Sequence, residues 1–115
     1  MLALDGQDYE QARRLLSSAR DALSRVVSAD PGRARPAGQL AIAWHHLGEI
    51  EAHARQTAPA VHSFREAEAL WLKVLALDPG DASVAADLEQ TRAAIRRLTE
   101  AEPTAPRVRL RRSPE

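Results

Sequence analysis

The stretch Asp30-Pro31-Gly32 returns 48 residues later as Asp78-Pro79-Gly80, and the flanks return with it. At this offset Ala12 falls on Ala60, Leu16 on Phe64, Ala19 on Ala67, Leu23 on Trp71 and Val26 on Val74. Leu40 falls on Leu88, and Leu47 on Ile95. Apolar size and position are kept while the charged residues between them drift. An internal period of this length is the signature of a repeat architecture in which only the packing face is constrained.

Composition narrows the architecture. The 115 residues suffice for one modest core. There are two Trp, one Phe and one Tyr, and the apolar residues are mainly Ala, Leu and Val. That mixture suits closely spaced helices better than sheets. With no Cys, the sequence excludes disulfides, thiolate metal sites and a cysteine nucleophile. Lys plus Arg balances Asp plus Glu at 16 each, so net charge gives no reason to expect nucleic acid or an anionic membrane. No apolar run is long enough to span a bilayer and no leader is visible, so the expected location is the cytoplasm.

Four helices are expected. The first covers 8–29, with Asp8 and Gln11 as a capping-box variant and a stripe of Ala12, Leu16, Ala19, Leu23 and Val26. Asp30-Pro31-Gly32 ends it. The second covers 36–56, with Pro36 in its first turn and Leu40, Ala43, Leu47, Ile50 and Ala54 on its stripe, widened by Trp44. Gly48, in mid-helix, points to a close helix crossing. The third covers 58–77 behind Thr57 as N-cap, with Ala60, Phe64, Ala67, Trp71 and Val74 facing inward. The fourth covers 82–101, with Val84, Leu88, Thr91, Ile95 and Leu98. Short connections make neighbours antiparallel. A helical domain over 1–102 and a disordered Arg-rich tail over 103–115 complete the expected organisation.

The residues at this point resemble a family. Trp44-His45-His46-Leu47-Gly48 matches the W-x2-L-G of tetratricopeptide repeats, and Ala60-Val61-His62-Ser63-Phe64 matches their A-x3-F at the family's spacing. Ala67 stands where a second small residue is expected. Glu51 replaces the family's Tyr, and Pro79, the closing proline, comes seven residues late. Pro31 likewise precedes Trp44 by seven residues more than the short repeat allows, so both helices are extended by about two turns together. Gly6-Gln7-Asp8-Tyr9 and Ala29-Asp30-Pro31-Gly32 are similar to long repeats of large bacterial regulators, many carrying a Ser/Thr protein kinase domain. The resemblance implies an all-α fold of antiparallel hairpins stacked as a short right-handed solenoid. In that register the first helix lacks a partner, leaving an open N-terminal flank, and the fourth is a polar end cap.

The function implied is a non-catalytic interaction module at the C-terminal end of a bacterial signalling protein, binding a peptide or helix in its concave groove or at the open flank. His45, His46, Glu49 and His53, off the packing stripe of the second helix, are candidates for the groove lining, with no cofactor required. The alternating basic and apolar tail, Arg107, Arg109, Arg111 and Arg112, is a second candidate contact, for an acidic partner, RNA or an anionic membrane. Trp44 and Trp71 belong to the core. Two other classes remain: a structural homo-oligomer in which copies cover each other's first helix, and a metal-binding bundle using His46, Glu49 and His53. No phosphate-binding loop, kinase signature or catalytic Ser, His and Asp spacing occurs.

Overall fold

The computed structural model describes residues 6–100, with side chains from Asp8 onward, and the Arg-rich tail expected over 103–115 lies outside them. All its regular structure is helical: α1 (Gly6–Ala29), α2 (Ala34–His53), α3 (Thr57–Leu77) and α4 (Ala82–Glu100). Each helix packs antiparallel on its sequence neighbours, and α4 also touches α2 lightly across α3. Among the described residues α1 packs on α2 alone.

The repeat is visible in the turns. Asp30 N–H donates to the Val26 carbonyl at 3.2 Å and Arg33 N–H to the Asp30 carbonyl at 3.3 Å. Forty-eight residues on, Asp78 N–H donates to Val74 at 2.8 Å and Asp81 N–H to Asp78 at 3.2 Å. Pro31 and Pro79 therefore occupy the same place in two equivalent exposed turns. Asp81 adds a cap: its Oδ1 accepts the backbone N–H of Val84 at 3.2 Å and of Ser83 at 3.1 Å. These bonds, that to Val84 foremost, lower its pKa.

The α2–α3 turn is built differently. Gln56 N–H donates to the Glu51 carbonyl and Arg55 N–H to the Ala52 carbonyl, the two bonds of a Schellman ending. Arg55 takes the left-handed conformation, φ 63°, that this ending requires. α2 thus stops at His53, three residues short of the expected 56. The N-cap of α3 is Gln56, with no side-chain cap bond, and Thr57 is the first helical residue instead. Asp8 likewise sits inside the first turn of α1, not at its cap, because the helix has already begun at Gly6.

The core lies along α3. Ala37 and Ala41 of α2, Ala67, Trp71 and Val74 of α3, and Val84 and Leu88 of α4 form one buried cluster. Ala60 and Phe64 join Ala94 and Ile95 in a second. Leu40, Ala43 and Leu47 are buried with them. Trp44 is only half-buried. Its ring lies under the Arg20 guanidinium, 5.0 Å from the ring centre, with His62 edge-on at 5.6 Å.

Glu51, which stands where the family pattern has Tyr, is 5% exposed. Its carboxylate accepts the Ser63 hydroxyl at 2.6 Å and faces Arg13 of α1 at 3.7 Å. The polar replacement is thus compensated by partners on both neighbouring helices.

One expected stripe is displaced. Ala19 and Val26 of α1 are exposed, and the face on α2 carries Ala12, Leu16, Arg20, Leu23 and Val27. α3 is covered on two sides and buries a wide stripe. α1 is covered on one side, so half of the equivalent stripe remains in solvent.

Gly48 marks the close approach that its place in the sequence implies. A Cβ built there would lie 2.9 Å from three carbons of the Phe64 ring. Gly48→Leu is expected to destabilise by about 1–3 kcal/mol through over-packing. Urea unfolding checks this, and an unchanged midpoint would mean that α2 and α3 separate there without cost.

Candidate functional site: the groove between α2 and α4

Parallel α2 and α4, with α3 as floor, leave a groove along the molecule. Its α2 wall carries Ile42, His45, His46, Glu49 and His53, spaced three, one, three and four. Its α4 wall carries Asp87, Gln90, Ala94 and Arg97. Both sets follow helical periodicity, which is why each presents one edge. Trp71 lies in the floor beside Asp87 and Phe64 beside Arg97. The central cleft has a volume of about 270 Å³, with further clefts towards both ends: one shares Ile42, Trp71 and Asp87 with it, and another shares His45, Glu49 and Gln90.

A chain of polar groups centred on buried Thr91 ties the walls to the floor. Thr91, fully buried, receives the Trp71 indole N–H at 3.1 Å. Its Oγ1 is also 2.9 Å from Nδ1 of His45. Nε2 of His45 faces Glu49 at 3.4 Å, and an ionised carboxylate only accepts. The proton of His45 is therefore assigned to Nε2, and Nδ1 accepts the Thr91 hydroxyl. One hydroxyl thus joins α2, α3 and α4.

Glu49 gathers both imidazoles, since His46 Nδ1–H also donates to it at 2.9 Å. His46 and Glu49 are exposed, and His53 is exposed one turn beyond. Of the four residues singled out in the sequence, His46, Glu49 and His53 face the groove as accessible groups, while His45 is half-buried and braces the wall. Among the described residues no group of three or more His, Asp or Glu side chains converges to hold a metal ion. His46, Glu49 and His53 do not form such a centre. Arg107, Arg109, Arg111 and Arg112 lie outside the described residues.

Sequence reasoning missed Ile42 and Asp87. Ile42 is 47% exposed on the groove rim, a large apolar side chain off the packing stripe of α2. Its spacing of three, four and seven from His45, His46 and Glu49 was the available signal. Asp87 falls on Gln39 at the 48-residue offset, so the repeat alone does not mark it.

Burial pushes the His45 pKa down, opposed by Glu49 and Asp87 and reinforced by His46. The folded state therefore binds its proton less readily than the unfolded chain, whose value is about 6.5. The stability contributed by neutral His45 is present above that value and is lost as pH falls from it through the lowered folded value. Wild type should lose more stability between pH 7.5 and 5.5 than His45→Gln, whose amide oxygen still accepts from Thr91. Urea titrations at the two pH values test this, and equal losses would place the pH dependence elsewhere.

No protein-family model matches the chain, and neither the curated proteins nor the solved structures contain a match to it.

Proposed function

We propose that this chain is a tetratricopeptide-like module, two long-helix hairpins in a right-handed stack, that binds a peptide segment of another protein in the α2/α4 groove. The observation carrying the reading is the exposed Ile42 above the Trp71 floor, in a groove that follows both helices for most of their length. An apolar floor with a polar rim is the general form of a peptide-binding cleft. The W-x2-L-G and A-x3-F matches support the hairpin reading, because Gly48 and Phe64 form the tight α2–α3 crossing. The role is non-catalytic: the polar groups in the groove serve as hydrogen-bonding and charged contacts. A cytoplasmic bacterial signalling protein is the setting that the resemblance implies. No helix among the described residues is long and apolar enough to cross a membrane.

Selection from a random-peptide display library, followed by fluorescence anisotropy, tests the reading. Selected peptides should bind wild type and lose at least about tenfold in affinity to Ile42→Arg, a change on an exposed rim that should leave the melting midpoint nearly unchanged. Peptides that bind Ile42→Arg equally well would exclude the groove.

A second reading, self-association, is favoured by α1. Leu15 is 66% exposed, and with exposed Ala19, Ala22 and Val26 it forms a continuous stripe spaced four, three and four. The equivalent stripe on α3 (Ser63, Ala67, Leu70, Val74) is covered. The α1 stripe is self-complementary: antiparallel packing about its centre sets Leu15 against Val26 and Ala19 against Ala22 of a second copy. Light scattering across a dilution series should then show a dimer that Leu15→Glu dissolves. A monomer at every concentration would discard this reading.

A further inference from the structure

The groove is electrically uneven. Towards the start of α4 its lining holds Asp78, Asp81 and Asp87, with Glu49 at the midpoint, against Arg35 alone. Towards the end of α4 it holds Arg97 and His53. Asp81 is engaged in capping α4. Among the described residues Asp87 has no hydrogen-bonded or ion-paired partner, and it acts on His45 only through its field. The acidic half also has the apolar floor: Ile42, Trp71, Val74 and Val84.

This chain carries a segment complementary to that half. Arg107-Val108-Arg109-Leu110-Arg111-Arg112 alternates basic and apolar residues. In an extended chain successive side chains point to opposite sides, so Val108 and Leu110 share one side and Arg107, Arg109 and Arg111 the other. Apolar groups meet the floor while the long guanidinium arms reach carboxylates on the rims.

The reach matches as well. From Glu100 back to Asp87 along α4 is roughly 20 Å at 1.5 Å per residue. Seven to nine residues, extended as Pro103 and Pro106 favour, cover about 22–28 Å at 3.1 Å each. That brings Arg107 to Arg109 beside Asp87, after a residue or two has been used to reverse direction. The rest of the basic tract then runs on towards Asp81 and Asp78.

We propose that the tract Arg107–Arg112 folds back along the α2/α4 groove and occupies its acidic half, as an intramolecular competitor of the peptide partner. The proposal rests on the groove being a peptide site, as argued above. Tethering supplies a local concentration on the order of millimolar. For a tract with a dissociation constant of about 0.1 mM, that concentration weakens an incoming peptide by about tenfold.

The absence of Cys from the sequence allows a clean test in the full chain. A nitroxide attached at Ser113→Cys should broaden the amide resonances of Gly38, Ser83 and Asp87 and leave those of Arg13 and Ser17 sharp. Asp87→Lys, or 0.5 M salt, should remove the broadening. Broadening that is absent from the groove, that persists in Asp87→Lys, or that arises only between chains in a mixture of isotope-labelled and spin-labelled protein overturns the proposal. As a second measurement, a labelled peptide of residues 106–112 is titrated into wild type and into the chain with Arg107, Arg109, Arg111 and Arg112 changed to Ser. The neutralised chain should bind about tenfold more tightly. Equal binding overturns tail docking while leaving the groove a peptide site. Binding to neither chain, of this peptide and of any library peptide, removes both readings.

Discussion

The hydroxyl of Thr91 is the point on which the architecture turns. It accepts from Trp71 on α3 and donates to His45 on α2 while belonging to α4. A buried polar atom must find its partners at fixed distances and angles, whereas apolar contacts tolerate sliding. This one group therefore ties both groove walls to the floor at fixed distances, from within the apolar layer beneath them. The neighbouring ring of Phe64, edge-on to His45 with centroids 5.1 Å apart, braces the same imidazole. Wall spacing and core packing are thus a single property.

Much of this was legible in the sequence. The 48-residue period, the Asp-Pro-Gly turns and the apolar stripes of α2, α3 and α4 have direct physical expression in the fold. Each is a local or periodic signal: a turn is written in adjacent residues, and a helix face in spacings of three and four. The displaced stripe of α1 was illegible for the opposite reason. Whether Val26 or Val27 is buried depends on how many neighbours α1 has, and both satisfy the helical period equally well. The Schellman ending at Arg55 escaped notice because Arg stands where Gly usually signals it. In the groove, the α2 wall was readable as the polar face of one helix. Asp87 and the Trp71 floor come from α4 and α3, and only tertiary packing brings them opposite His46 and Glu49.

The two ends of the molecule contrast. The face of α2 that receives α3 is small, with Ala41 and Gly48, and their counterparts on α4 are Glu89 and Arg96. Arg92, at the position of Trp44, is held by Glu68 at 2.9 Å and approached by Glu89 at 3.7 Å. A further helix would meet charge instead of a hollow there. At the other end, Leu15 and Val26 present an uncharged ridge. The charge pattern thus discourages head-to-tail growth into open filaments, although the helices themselves are repetitive.

Because, among the described residues, α1 touches α2 alone, its attachment is also the least cooperative element of the fold. In a chain of nearest-neighbour interfaces, a terminal unit can open without disturbing the rest. Opening α1 would release the Trp44–Arg20 stack, the Arg13–Glu51 pair and apolar contacts such as those of Val27. The Thr91 linkage among α2, α3 and α4 would be untouched. Amide protection should accordingly be graded along the molecule, lowest in α1 and highest in α3. Anything that covers the outer face of α1 would be read out as slower hydrogen exchange in that helix before it altered the groove.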